Sequence, residues 1–124
     1  MAKEENGIKY FTLLEALRSI QKTLLNRYTS AFWVKAELMK LNHYAHSGHA
    51  YPDLVEKQDN KIVAQIRALI WKDDFDRINS KFLSTTKEPI KDGITVLIYC
   101  RVQFDALYGL SLRIIDIDPL FTLG

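Results

Sequence analysis

Apolar and polar residues alternate along five stretches of the chain, and this alternation predicts five β-strands. In the first stretch, AFWVKAELMKLN, the side chains of Val34 and Leu38 fall on one face, and those of Lys35 and Glu37 fall on the other. The predicted strands cover 32–42, 49–57, 61–71, 94–105 and 110–118. Pro52 lies inside the second strand and has no backbone N–H to donate, so we expect an edge position or a bulge there.

Two other stretches repeat apolar residues at the spacing of an α-helix. The first is predicted over 12–28, where Thr12 and Glu15 have the spacing of a capping box that satisfies backbone N–H groups at a helix start. The second follows Asp73 and Asp74, whose negative charges favour a helix N-terminus. Its apolar face consists of Phe75, Ile78 and Phe82.

The order of these elements along the chain is typical of a small closed barrel. Three strands, a short helix and two strands form a five-stranded Greek-key barrel, whereas a sandwich needs about seven strands. A length of 124 residues fits one such domain with a helical extension. We therefore predict a mainly β fold with a loose N-terminus over 1–11, a helix packed on the barrel over 12–30, the barrel over 31–119 and the start of a linker over 120–124.

Composition narrows the classes of function. The net charge of +2 and the pI near 8.6 stay below the value of about 9 that accompanies strong electrostatic binding of duplex nucleic acid. Cys100 is the single cysteine and cannot form an internal disulfide, which favours a cytoplasmic protein. We see no apolar run of about 20 residues for a membrane span, no signal peptide, no nucleophile motif and no glycine-rich phosphate loop. The chain does not read as a complete enzyme, and we expect no cofactor.

Two groups of residues have the composition of metal ligands. His43, His46 and His49 are three imidazoles within seven residues, but a zinc site usually takes four ligands, and the single cysteine lies far along the chain. Asp116 and Asp118 share one face of the last strand, as a pair of Mg²⁺ ligands would. Solvated polar residues explain both groups better than a metal does, and we predict no metal site.

A third group has the composition of a surface for single-stranded nucleic acid. Bases stack on aromatic rings whatever their identity, and Lys and Arg follow the phosphates. Trp71 belongs to the wider set of aromatic and basic residues on the first three strands and the two hairpin loops. The predicted binding residues are Trp33, Tyr51 and Tyr108 for stacking, Lys40, Arg67 and Arg101 for charge, and His46, Ser47 and His49 for phosphate contacts. Taken alone, Trp33 and Trp71 are more typical of a core or interface, whereas Tyr51 and Tyr108 fit either position about equally.

Four phrases within 31–124 have a recognisable pattern when taken in order: WVKAELMKL, SGHAYPDLVEK, AQIRALIW and KDGITVLIYCRVQFDALYGLSLRIIDIDP. Together they resemble the N-terminal domain of the large subunit of exodeoxyribonuclease VII. The resemblance implies an OB-fold domain that holds single-stranded DNA for a cytoplasmic exonuclease. It also implies catalytic residues beyond Gly124 and small subunits as partners, bound mainly through that downstream region.

The sequence differs from this family at three places. Pro52 and Asp53 replace an aromatic residue and a threonine, Cys100 stands where glycine is usual, and the loop DALYG lacks the family's Pro-Arg-Gly.

Two other functions are consistent with the sequence. An OB-type barrel that serves as a protein-interaction or assembly module fits the modest charge equally well. An RNA-binding barrel of the anticodon type differs only in its substrate.

Overall fold

The computed structural model describes residues 2–120 and contains a barrel of five strands. They are β3 (Phe32–Lys40), β4 (Asp53–Gln58), β5 (Lys61–Leu69), β6 (Thr95–Asp105) and β7 (Gly109–Asp118), preceded by a short hairpin of two strands, β1 (Lys3–Glu5) and β2 (Ile8–Tyr10). The barrel closes in the order β3-β4-β5-β7-β6, because β6 pairs with both β7 and β3. The mainly β fold and the closed five-stranded barrel are confirmed.

One pairing in the barrel differs from the others. The strands β5 and β7 run parallel and are registered through Ala68 opposite Leu112 and Leu69 opposite Arg113. All other neighbouring strands of the barrel are antiparallel. This short parallel pairing closes the barrel.

Alternation along the strands fills the barrel with aliphatic side chains. Ile98 and Ile114 are fully buried, because alternate side chains of a strand point to the same face. The helix α2 (Lys72–Thr86) lies between β5 and β6 in sequence and adds an apolar face to the same core. That face consists of Phe75, Ile78 and Phe82, as predicted.

Strand β4 begins later than the sequence predicts. The expected strand over 49–57 is regular only from Asp53. Before it, Ala50 makes isolated bridges to His43 and Ile70, and the buried Pro52 accepts a hydrogen bond through its carbonyl but has no N–H to continue the ladder.

The helix α1 (Leu13–Arg27) carries the predicted capping box. Thr12 Oγ1 accepts from the backbone N–H of Glu15 at 3.2 Å, and Glu15 Oε1 accepts from the backbone N–H of Thr12 at 3.0 Å. The Lys3 ammonium, 2.8 Å from the same carboxylate, and the Thr12 backbone hold the pKa of Glu15 well below its usual value. The helix contacts β6, where Gln21 donates to the carbonyl of Phe104 at 2.9 Å, yet none of its residues is buried.

The N-terminus corrects one prediction. Residues 1–11 were expected to be loose, but β1 and β2 form an antiparallel hairpin from Lys3 to Tyr10. Asn6 and Gly7 both have positive φ angles, 52° and 75°, as two-residue hairpin turns require. The linker predicted over 120–124 lies outside the described residues from 121 onward. Within residues 2–120, no helix has both the length and the apolar character needed to cross a membrane.

Candidate nucleic-acid interface

An open groove of about 1060 Å³ runs over the outer face of the barrel. Its floor comes from β5, β6 and β7, and one end is formed by the hairpin loop between β6 and β7. The groove brings together four of the residues predicted from sequence, together with Trp71. They are Tyr51, Arg67, Arg101 and Tyr108.

The aromatic residues of the groove differ in how firmly they are held. Tyr108 is 80% exposed at the tip of the β6–β7 loop, where Asp105 accepts hydrogen bonds from the backbone of Leu107 and Tyr108. Trp71 is 38% exposed and precedes the first residue of α2. Tyr51 meets Tyr44 edge to face, with ring centroids 5.6 Å apart. The groove therefore offers one free ring and two supported rings.

Basic side chains project into the groove from three strands. Arg67 lies on β5 directly opposite Asp53 on β4, and within residues 2–120 its guanidinium forms no hydrogen bond or ion pair. Arg101 on β6 donates to the carbonyl of Thr29 at 3.1 Å, where the chain leaves α1. Arg113 on β7 also lines the groove. An uncommitted guanidinium such as that of Arg67 is available to a phosphate.

Residues 43–49 of the loop between β3 and β4 are fastened to the start of α2 and do not line the groove. His49 Nδ1 accepts a hydrogen bond from the backbone N–H of Lys72 at 2.9 Å, and its ring meets Trp71 edge to face at 4.8 Å. Ser47 Oγ accepts from the backbone N–H of His49 at 3.1 Å. Because Nδ1 is an acceptor, His49 supports Trp71 and the loop, and its phosphate contact stays a prediction.

Three further predicted residues lie away from the lining of the groove. Trp33 is half exposed and packs against Tyr99, with ring centroids 5.0 Å apart, on the outer face of β3 and β6. Lys40 is exposed at the end of β3, and His46 is exposed in the β3–β4 loop. The binding residues predicted from the sequence thus lie partly in the groove and partly on two other surfaces.

The histidines do not converge as metal ligands. His43 stacks on Phe75 with ring centroids 4.0 Å apart, while His49 is bonded to the backbone of Lys72. Asp116 forms an ion pair with Lys81 at 2.8 Å. Among residues 2–120, no three His, Cys, Asp or Glu side chains are grouped as a metal would require.

Arg113 is the groove residue that the sequence prediction missed. Leu112 and Ile114 are buried, so alternation alone places Arg113 on the outer face of the last strand. Its place in the groove depends on the pairing of β7 with β5 and β6, which one sequence does not specify.

Cys100, where the family usually has glycine, is buried, and the β6–β7 register shifts between Tyr99 and Cys100.

The closed five-stranded barrel, with a groove between a strand face and a hairpin loop, defines an OB-fold. The family model for the OB-fold nucleic acid binding domain matches residues 11–118, and the chain belongs to that family. The large subunit of exodeoxyribonuclease VII from Deinococcus radiodurans is 28% identical over 122 residues, which confirms the resemblance seen in the sequence. The match covers 94% of this chain and 29% of that protein, so the chain spans less than a third of its relative's length.

A solved structure with a similar fold is the mitochondrial single-stranded DNA binding protein of S. cerevisiae. It aligns with a TM-score of 0.48 at 15% identity, over 72% of this chain and 90% of that chain.

Proposed function

We propose that this domain binds single-stranded DNA along the groove and presents it to an exonuclease of the exodeoxyribonuclease VII type. Such an enzyme degrades single-stranded DNA to oligonucleotides, and this domain binds the strand and does not cut it. The observation that carries the proposal is the convergence of Tyr51, Trp71 and Tyr108 with Arg67 and Arg101 on one groove. The similarity to the large subunit of exodeoxyribonuclease VII supports the choice of enzyme.

The chemistry of the groove suits unpaired bases. Stacking on an aromatic ring contributes about 1–3 kcal/mol per base and needs a base whose face is free. Tyr108 is exposed and supplies such a ring, while Trp71 is held in place by His49. The guanidinium of Arg67, which has no hydrogen bond or ion pair among residues 2–120, supplies a phosphate contact in the same groove. Duplex DNA keeps its bases stacked on each other and is a poorer ligand for this surface.

The proposal extends to partners and conditions. Binding requires no cofactor or metal ion, and the small subunits of the same exonuclease associate through other parts of the enzyme. A cytoplasmic location is supported by Cys100, the single cysteine of the sequence, which cannot form an internal disulfide. Affinity for an oligonucleotide that is unchanged by a chelator agrees with the metal-free part of the proposal.

The test is a titration of the domain with a fluorescein-labelled oligo-dT, read by anisotropy, against a duplex of the same length. We expect Tyr108→Ala to weaken binding by about 5- to 150-fold, the equivalent of one stacked base. Leu107→Ala is the matched control, because Leu107 is 84% exposed in the same loop and does not line the groove. Arg67→Ala should weaken binding and reduce its salt dependence, whereas Arg18→Ala on α1 should change neither.

Two results would contradict the proposal. One is the absence of any anisotropy change with oligo-dT at near-millimolar concentration. The other is binding by Tyr108→Ala and Arg67→Ala that is as tight as in the parent. Titration of Trp33→Ala in the same series tests whether the Trp33–Tyr99 pair takes part in binding.

A protein-interaction role has one specific observation in its favour. The hairpin and α1 expose large apolar side chains, including Ile8 at 67%, Phe11 at 62% and Leu13 at 75%. A surface of this kind is typical of protein contacts. Binding to nucleic acid falls steeply as salt rises because counterions are released, so a salt-insensitive association would favour the protein partner. Parallel titration with oligo-U separates DNA from RNA as the ligand.

A further inference from the structure

Two arginines face each other across the floor of the groove. Arg101 on β6 is registered directly opposite Arg113 on β7, and both residues line the groove. Side chains in such positions have Cβ atoms about 4.5–5.5 Å apart, and like charges there repel each other. A pair of this kind needs a compensating negative charge.

Among the described residues, negative charge compensates the positive charge of this arginine pair only in part. Arg101 donates to the neutral carbonyl of Thr29 at 3.1 Å. Arg113 lies 3.3 Å from Asp74, but that carboxylate is also 3.0 Å from Arg77 and is shared between the two. The Nε of Arg113 is buried and has no hydrogen-bond partner among residues 2–120.

The two acids that line the groove are directed elsewhere. Asp105 accepts hydrogen bonds from the backbone of Leu107 and Tyr108 and shapes the β6–β7 loop. Asp53 lies on β4 and is registered opposite Arg67 on β5. Neither acid is paired with Arg101 or Arg113 in the described structure.

We propose that Arg101 and Arg113 form a phosphate subsite on the floor of the groove. This inference rests on the proposed function and deepens it, because it identifies where the groove holds one backbone phosphate of the strand. A guanidinium pairs with phosphate through two parallel N–H···O bonds, and a phosphate between the two strands is within reach of both residues. Arg113 exchanges Asp74 for the phosphate, and Asp74 keeps Arg77 as its partner.

The salt dependence of oligo-dT affinity tests the subsite. For single strands, log K falls with log[salt] by about 0.7 for each phosphate contact. We expect the double variant Arg101→Gln/Arg113→Gln to reduce the slope by about 0.7, since the pair holds one phosphate, and each single Gln variant to reduce it by part of that amount. Asp74→Asn is the matched control, because it breaks the same Asp74–Arg113 ion pair and keeps both arginines. The slope of Asp74→Asn should equal that of the parent.

The outcomes separate this inference from the proposed function. If Arg67→Ala weakens binding while both Gln variants keep the parent's slope, the subsite is refuted and the groove remains the binding site. If the parent does not bind oligo-dT, the proposed function fails, and melting with added pyrophosphate decides the subsite. The subsite then predicts a rise in Tm for the parent and Asp74→Asn that both Gln variants lack. Equal rises in all four proteins would overturn it, as would no rise in the parent.

Circular dichroism of each variant shows whether it is folded before binding is measured. If Arg113→Gln does not fold, Arg101→Gln carries the test, since among residues 2–120 Arg101 has only a carbonyl partner to lose.

Discussion

A methyl group added at Gly48 tests whether the β3–β4 loop is packed tightly against the start of α2. Gly48 has a φ angle of +78°, and a Cβ there would lie 2.6 Å from Cγ and 2.8 Å from Cδ of Lys72. The left-handed backbone costs about 1–2 kcal/mol for any residue with a Cβ. Overpacking of this degree adds about 1–3 kcal/mol. We therefore expect Gly48→Ala to lower the free energy of unfolding by about 2–5 kcal/mol.

The chain contains a matched control for the backbone part of this cost. Gly93 has a φ angle of +79°, and a Cβ there would meet no atom within 4 Å. Gly93→Ala should therefore cost only the backbone strain, about 1–2 kcal/mol. The double variant Gly48→Ala/Lys72→Ala removes Cγ and Cδ of Lys72 and should recover most of the steric part. Lys72→Ala alone loses an exposed ion pair with Asp76 and should have little effect.

The assay is equilibrium unfolding in urea, followed by circular dichroism and by tryptophan fluorescence. Unchanged m-values are required so that differences in midpoint report stability. The reasoning is refuted if Gly48→Ala and Gly93→Ala lose the same stability, or if the Lys72 change gives no recovery. Oligo-dT affinity of Gly48→Ala adds a functional readout, because the same contact positions His49 beside Trp71.

Three further predictions concern the fold. Glu15→Gln should destabilise the domain at neutral pH, because the folded-state pKa of Glu15 is lowered, chiefly by Lys3. The stability that the ionised Glu15 contributes is therefore present above pH 4.5, its usual pKa, and is lost as the pH falls below that value. Melting curves at several pH values should show that the difference in Tm between Glu15→Gln and the parent becomes smaller in acid. A Tm difference that is the same at every pH contradicts this prediction. Cys100 should resist Ellman's reagent at neutral pH until urea unfolds the chain, because its thiol is buried and its pKa is about 11. Ile98→Ala should cost about 2–5 kcal/mol in urea unfolding, since the side chain is fully buried; a loss below 1 kcal/mol would be too small for that position.

The sequence predicts the barrel well because its signals are local. The alternation that buries Val96, Ile98 and Cys100 needs only the period of a strand, and the Thr12–Glu15 capping box needs only a spacing of three residues. The N-terminal hairpin was missed because its strands have three residues each and are exposed throughout, so they carry no alternating signal. The Asn6-Gly7 pair was the available indication of a turn.

The groove was predicted only in part because it depends on contacts between distant residues. Tyr51, Arg67 and Tyr108 were recognised by residue type and by their place near hairpin loops. The bond from Lys72 to His49 joins residues 23 apart and makes His49 a support for Trp71. No periodicity encodes such a contact. The same holds for the register that places Arg113 opposite Arg101.

The parallel pairing of β5 with β7 has a consequence for how this chain folds. Ala68 and Leu112 are 44 residues apart in sequence, whereas the β4–β5 and β6–β7 hairpins form between adjacent segments. Because distant segments lose more chain entropy when they meet, we expect both hairpins to form before the parallel pairing and before the pairing of β3 with β6, in which Phe32 and Cys100 lie 68 residues apart. Closure of the barrel at these two long-range pairings then limits the folding rate. The amide hydrogen of Leu69 should accordingly exchange sooner than those in the middle of β6, and occupancy of the groove above the parallel pairing should slow its exchange.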